Sequence, residues 1–135
     1  MKHKIISIKQ PWAHLICAGA KDIENRSWKC PQKYIGKRIL IHASAKSAGE
    51  PYTIFTDEQY KAIEKAGVDD ELAMFNSYKE VSRIIGSVII AGCVQNHPSI
   101  WAIKGYWHWT LKDPILFEKP ILNIKGKLGL WDYEV

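Results

Sequence analysis

A short stretch near the N-terminus carries three charged side chains that could act together on an anionic ligand. Residues 19–26 read Gly-Ala-Lys-Asp-Ile-Glu-Asn-Arg, so that Lys21, Glu24 and Arg26 closely follow a glycine. In an extended segment alternate side chains share one face, which would make Glu24 and Arg26 neighbours, with Lys21 reaching in from the preceding turn. A carboxylate beside two cations can bind a hydrogen-bonding anion and can also move protons. The same pattern also fits an exposed strand with a surface ion pair of little energetic value.

This charged cluster requires a helix that ends before it and a strand that carries it. Apolar residues recur at helical spacing over residues 12–16, with Pro11 suited to the first turn and Gly19 to the C-terminal stop. Residues 22–28 then favour a strand. Other strand-like segments, rich in β-branched residues or alternating in polarity, cover residues 5–8, 38–43, 84–94, 106–111, 115–117, 120–124 and 128–131.

Three positions in the later strands are predicted to bend the chain. Gly86 and Gly92 interrupt the apolar run of residues 84–94 and are candidates for β-bulges. The continuity of that run predicts a strand that is buried on both faces. Asp113-Pro114 predicts a turn between two strands.

The middle of the chain, about residues 45–80, favours helix instead. Thr56 and Gln59 have the spacing of a capping box, and Gly67 is suited to end the helix that the box begins. A further helix is predicted to start at one of the aspartates 69–70. We interpret the acidic residues at these helix starts as structural, because the helix macrodipole favours negative charge there.

Size and composition indicate one folded domain over residues 1–135. A hydrophobic content of 47% and a charged content of 24% are typical of an ordinary globular protein, which excludes a disordered or fibrous chain. About six short strands with two to four helices predict an α/β protein of the α+β type. We expect a small, mixed, mainly antiparallel β-barrel with helices packed outside.

Charge and cysteine content limit the partners and the setting of the protein. A net charge of +5 favours a polyanionic partner, although no run of basic residues reads as a nucleic-acid-binding tail. The three cysteines lack a paired spacing, which argues against a disulfide framework and for a reduced compartment. No metal-binding signature, cofactor motif or membrane-spanning stretch is apparent, so we expect no metal, no cofactor, no membrane partner and a cytoplasmic location.

Several motifs in order resemble the ASCH domains of the PUA-like superfamily. The resemblance covers nearly the whole chain and leaves the helical insert at about residues 45–80 without a motif. The motifs are Ser7-Ile8-Lys9-Gln10-Pro11-Trp12-Ala13, Gly19-x-Lys21-x-x-Glu24-x-Arg26, Ile41-His42-Ala43-Ser44, Trp107-His108-Trp109 and Gly126-Lys127-Leu128-Gly129-Leu130-Trp131. The resemblance implies a PUA-like β-barrel whose cleft carries the second motif, and a role around RNA or modified nucleosides.

We therefore expect a basic cleft that binds RNA or a modified, nucleotide-like ligand. The charged cluster would form its centre, and three further side chains would lie near its rim. The predicted ligand-binding residues are Gln10, Trp12, Lys21, Glu24, Arg26 and Ser44. Glu24 should be paired with a cation, because an unpaired buried carboxylate is unfavourable.

A hydrolase is the alternative that the resemblance leaves open. Some relatives are amidohydrolases that remove the acyl group of N4-acetylcytidine, with a lysine three residues before a threonine. Here Lys21 is retained, but Glu24 stands where that threonine would be, and a carboxylate cannot replace a hydroxyl that forms an ester. Other ASCH proteins are associated with ribonuclease activity. In an enzyme of either kind Lys21 and Glu24 would share the proton transfers. A third alternative is an interaction domain whose cleft binds a protein or nothing at all.

Two further sets of residues have both a structural and a functional interpretation. Trp12, Trp107, Trp109 and Trp131 could stack on bases, but their spacing favours core packing for most of them, with Trp12 the best ligand candidate. His42 and Ser44 could form a base and nucleophile pair. Side chains two residues apart on one strand point the same way, however, without an obvious contact between them. The pattern therefore favours a hydrogen-bonded, semi-buried histidine over a catalytic pair.

Overall fold

Six strands in one mixed sheet dominate the structure, a computed structural model that describes residues 1–49, 54–68 and 79–134. The described elements in chain order are β1 (Lys2–Ile8), α1 (Trp12–Cys17), β2 (Ile23–Arg26), a 3₁₀ helix (Gln32–Tyr34), β3 (Arg38–Ala43), α2 (Asp57–Lys65), β4 (Arg83–Val94), β5 (Trp107–Ile121) and β6 (Leu130–Glu134). The strand order is β2-β5-β4-β3-β1-β6. Among these described strands only the β1–β3 pair is parallel, and every other pairing is antiparallel.

The predicted mixed, mainly antiparallel sheet is confirmed, but the closed barrel is not. Among the described strands, β2 and β6 form the two edges and do not pair with each other. β2 has only four residues, all paired with β5, and the pairing of β6 with β1 stops at Ile6. The fold is therefore an open α+β sheet.

The main hydrophobic core lies between α1 and the inner face of the sheet. β4 supplies Ile85, Val88 and Ile90 to this core. The predicted burial of β4 on both faces holds over residues 84–88 but not over the rest of the run, since Ala91 and Val94 are exposed. The pairing of β4 with β5 shifts register at both Gly86 and Gly92, which confirms the two predicted bends. This core fixes α1 on the sheet, and with it the turn that leads into β2.

The predicted turn at Asp113-Pro114 is wrong. β5 continues through these residues, and its register with β4 shifts between Ser87 and Ile89, which pair with Ile115 and Lys112. Asp113 has a φ of 49°. Since a bulge leaves residues unpaired, it accommodates a proline that has no N–H to donate. Pairing with the long strand β4 keeps β5 continuous, although the local residues favour a turn.

α2 begins at the predicted capping box. The Thr56 hydroxyl accepts a hydrogen bond from the Gln59 amide at 3.1 Å, and the Gln59 side-chain oxygen accepts one from the Thr56 amide at 3.0 Å. Ile63 is buried, and Gly67 follows the helix as predicted, with a φ of 74°. The second helix predicted from residues 69–70 lies outside the described residues. Within the described ranges, no helix is both long and apolar enough to cross a membrane.

Candidate functional site

The turn between α1 and β2 directs Lys21 into the interior. The amide of Lys21 donates to the Leu15 carbonyl at 3.1 Å, and Gly19 adopts a φ of 88°, the left-handed conformation that ends many helices. Only 6% of Lys21 is exposed. Its ammonium donates a hydrogen bond to the Ile23 carbonyl and lies 5.6 Å from the centre of the Trp12 ring.

β2 brings Glu24 and Arg26 together, as the alternation of the strand predicts. One carboxylate oxygen of Glu24, Oε2, accepts from Arg26 Nε at 2.9 Å and from Nη2 at 2.7 Å. The other oxygen, Oε1, lies 3.9 Å from Lys21 Nζ. Glu24 is buried, so the cluster is not the exposed surface pair that the same spacing allowed, and the expected pairing of Glu24 with a cation is confirmed.

Burial changes the acid–base chemistry of this cluster. Burial lowers the pKa of Lys21 below its ordinary value, and the neighbouring charges of Glu24 and Asp22 oppose that shift. The positive charge of Arg26 also lowers the pKa of Lys21, because it disfavours the protonated amine. Lys21 is therefore an amine that gives up its proton more easily than an exposed lysine, and it has a carboxylate within 4 Å.

Arg26 spans the space between β2 and β1. Its Nη2 also donates to the Ser7 carbonyl at 2.8 Å, one residue beyond the point where β6 stops pairing with β1. This bond links one edge strand to the strand beside the opposite edge, which shows that the sheet curls strongly. Arg26 Nη1 has no hydrogen-bond partner among the described residues, and 22% of the side chain is exposed. The guanidinium is thus held firmly, with one nitrogen that makes no hydrogen bond to the described residues.

Aromatic rings line the other side of the Lys21 ammonium. Trp12 packs edge-to-face on Phe55 and Trp101, with ring centres 5.5 and 6.2 Å apart. Asn25 holds the loop that carries Trp101, since its amide nitrogen donates to the Trp101 carbonyl at 3.0 Å and its oxygen accepts from the Ile103 amide at 2.9 Å. Sequence reasoning missed both ring partners of Trp12. The polar Asn25 inside the charged motif is the sequence signal that could have indicated a held loop.

The two other predicted rim residues use their side chains elsewhere. Gln10 is fully buried, where its nitrogen donates to the Glu80 carbonyl at 3.0 Å and its oxygen accepts from the His14 amide at 2.9 Å. Gln10 thereby holds the start of α1. The Ser44 hydroxyl donates to the Lys46 carbonyl at 3.3 Å. Their described hydrogen bonds do not reach the charged cluster, so a role for either in binding stays a prediction.

His42 is a buried structural residue bonded to Ser7, not to Ser44. Its Nε2 lies 2.7 Å from the Ile124 carbonyl, which only accepts, so Nε2 carries the proton and Nδ1 accepts from the Ser7 hydroxyl at 3.0 Å. Trp131 donates to the same hydroxyl at 3.3 Å. The predicted hydrogen-bonded histidine is confirmed. This network holds Ser7 in place, the residue whose carbonyl accepts the hydrogen bond from Arg26.

His42 should make the protein less stable in acid. Burial lowers the pKa of His42 below 6.5, and its bond to Ile124 opposes the shift. As the pH falls below about 6.5 the unfolded chain takes up the proton first, so the free energy of unfolding should fall until the folded histidine also titrates. Urea denaturation from pH 7.5 to 5 should show this fall. His42→Gln should reduce this fall but leave the part due to His14, because burial also lowers the pKa of His14. An unchanged pH profile would contradict the assignment.

The remaining predicted base-stacking tryptophans belong mainly to the core. Trp109 is 1% exposed, packs edge-to-face on Trp28 at 4.8 Å and donates to its carbonyl at 3.3 Å. Trp131 is also buried, whereas Trp107 is half-buried beneath the ammonium of Lys29. Core packing is therefore confirmed for two of them, and Trp12 remains the aromatic residue beside the charged cluster.

The described residues also define the thiols and the potential metal ligands. All three cysteines are free thiols, and burial raises the pKa of Cys17 to about 12 and that of Cys30 to about 11. Thiols with such values are poor nucleophiles near neutral pH. No group of three or more His, Cys, Asp or Glu side chains that could hold a metal ion occurs in residues 1–49, 54–68 and 79–134.

Comparison with known proteins identifies the family. A search of curated proteins found no match to the chain. A family model described as the ASCH domain, a family generally linked to RNA binding, matches residues 6–121. The match covers most of the chain, from the end of β1 to the end of β5, with the whole charged cluster. The chain therefore belongs to the ASCH domain family.

Proposed function

We propose that this protein binds RNA or a nucleotide-like ligand at the cluster of Lys21, Glu24 and Arg26. The observation that carries the proposal is the guanidinium of Arg26, which Glu24 and Ser7 hold in place while Nη1 stays without a partner among the described residues. A cation whose position is already fixed loses little side-chain entropy when it binds a phosphate. A partly exposed, oriented arginine is therefore a good anchor for an anionic ligand.

Charge and aromatic surface at the cluster support the same ligand class. The guanidinium of Arg26 is the most exposed group of the cluster, and the whole chain carries a net charge of +5. Trp12 adds a ring next to Lys21 that a base could contact, since stacking on an aromatic side chain tolerates any base. Gln10 and Ser44 would contribute at the rim only if a ligand changes their present hydrogen bonds.

Replacing Arg26 by glutamine should weaken RNA binding about tenfold, as expected for the loss of a charge-assisted hydrogen bond to phosphate. The affinity of a fluorescein-labelled, random-sequence single-stranded RNA can be measured by anisotropy at several salt concentrations. The wild type should show affinity that falls as salt rises, and Arg26→Gln should show a smaller salt dependence. Arg38→Gln, the same change at an exposed arginine of β3, is the control and should bind like the wild type. Equal affinities of the three proteins would contradict the proposed site.

A hydrolase acting on an acylated cytidine or on RNA is the second candidate. The buried Lys21 favours it, because burial lowers the pKa of Lys21 and so makes its neutral amine, which could act as a base beside Glu24, easier to form than in an exposed lysine. The absence of a hydroxyl at position 24 weakens the likeness to the amidohydrolases. Binding is therefore the favoured function.

Lys21→Met separates the two candidates better than a change at Glu24, because Glu24 also orients Arg26. The hydrolase would be established by two results together. The wild type would release acetate from N4-acetylcytidine or cleave RNA, and Lys21→Met would lose this turnover while it still binds RNA through Arg26. If the wild type binds RNA but turns over neither substrate, binding is the function.

A further inference from the structure

A pocket lies between two segments that adjoin the edge strands of the sheet. It has a volume of about 430 Å³, within the range of small-molecule sites. The segment after β2 forms one wall and the start of β6 the other. Its lining residues are Trp28, Pro31, Lys33, Tyr34, Gly129 and Leu130.

The walls of this pocket begin close to the charged cluster. Trp28 is two residues from Arg26, so their Cα atoms are at most about 7 Å apart. On the other wall, Leu130 is the β6 partner of Ile6, the residue before Ser7. Both walls therefore begin within two residues or one strand pairing of the residues that form the Arg26–Ser7 bond.

The lining has the chemistry that recognises a ring with an attached anion. The side chains of Trp28, Tyr34 and Leu130 are half-buried and present apolar and aromatic surface. Lys33 is exposed at the rim with its ammonium 5.2 Å from the centre of the Tyr34 ring, and no described carboxylate lies within ion-pair distance of it. Lys4 lies 5.5 Å from the same ring but is already paired with Asp132 at 2.8 Å. Lys33 is thus the cation that can move onto a phosphate.

We propose that this pocket binds a neighbouring nucleotide of the same single-stranded RNA whose phosphate Arg26 holds. The base enters between Trp28 and Tyr34, and its phosphate meets Lys33. The inference rests on the proposed function and narrows it, because a ligand that fills both sites is an oligonucleotide and not a free nucleoside. Stacking and the second phosphate contact then add to the affinity that Arg26 supplies.

The test compares a short and a long probe on the same proteins. Isothermal calorimetry with an equimolar mixture of the four nucleoside 5′-monophosphates and with a random-sequence RNA tetranucleotide should give affinities that differ at least about tenfold in favour of the tetranucleotide. Tyr34→Leu should remove most of that advantage. Lys33→Gln, an exposed change that cannot disturb the core, should reduce the tetranucleotide affinity several-fold, whereas Lys119→Gln at an exposed position of β5 should not.

The outcomes separate this inference from the proposed function. Equal affinity for the two probes, or an advantage of the tetranucleotide that survives both Tyr34→Leu and Lys33→Gln, overturns the second-nucleotide pocket. If either result is found and Arg26→Gln weakens the binding of both probes, the proposed function stands without the pocket. If neither probe binds the wild type, the proposed function fails and the pocket falls with it.

Discussion

Replacing Glu24 by glutamine should lower the free energy of unfolding by about 3 kcal/mol, because it leaves two buried or half-buried cations without their counter-charge. Lys21 and Arg26 both lie within 4 Å of the Glu24 carboxylate, and the side chains of Lys21 and Glu24 are 5% and 11% exposed. Glutamine keeps the size of the side chain and one acceptor oxygen, so the change reports the charge. Urea denaturation at neutral pH, followed by circular dichroism, measures the effect.

A matched control and a second replacement make this test specific. Glu118→Gln, the same change at an exposed position of β5, should shift the free energy of unfolding by less than about 0.5 kcal/mol. Adding Lys21→Met to Glu24→Gln should recover part of the loss, because the methionine removes one unpaired cation. If Glu24→Gln and Glu118→Gln have similar small effects, the cluster is not the buried electrostatic unit described above.

Replacing Gly86 by alanine should lower the free energy of unfolding by about 3 kcal/mol, at the upper end of ordinary overpacking. A Cβ at this position would lie 2.1 Å from the Ile115 carbonyl oxygen and 2.7 Å from the Cys17 sulfur. The carbonyl belongs to β5 and cannot move without disturbing its pairing with β4, while Cys17 belongs to α1. Thermal and urea denaturation of the purified variant measure the loss.

Gly92 offers a matched control in the same strand. A Cβ there meets only the rotatable hydroxyl of Thr110, at 3.1 Å, so Gly92→Ala should destabilise by no more than about 1 kcal/mol. Equal effects at the two glycines would mean that the close approach of α1 and β5 to Gly86 is not maintained in solution. A large effect confined to Gly86 supports the packing that positions the turn before Lys21.

Local patterns predicted the parts of the site that depend on neighbours in sequence. The end of α1 at Gly19, the capping box of α2 and the shared face of Glu24 and Arg26 each follow from two to four residues of chain geometry. Burial of Glu24 with both cations did not follow from spacing, since an exposed strand has the same sequence pattern. The burial of Glu24 depends on how α1 and the loop that carries Trp101 pack against β2.

Features that depend on distant residues could not be predicted from the sequence. The Ser7 carbonyl that holds Arg26 comes from another strand, and Trp101 reaches Trp12 through a loop held by Asn25. Asp113 favours a turn locally, yet pairing with β4 keeps β5 continuous. Closure of the sheet likewise depends on how far its edges curl, and strand signals carry no information about that.

The most direct test of the proposed site is an NMR titration of the ¹⁵N-labelled protein with a random-sequence RNA tetranucleotide. The side-chain N–H signals of Arg26 and Trp12 report the cluster itself. We expect both signals to shift on binding, with a saturation curve that matches the calorimetric affinity. Arg26→Gln should weaken the binding that shifts the Trp12 signal. Shifts confined to exposed lysines elsewhere, with Arg26 and Trp12 unchanged at saturating RNA, would contradict the proposed site.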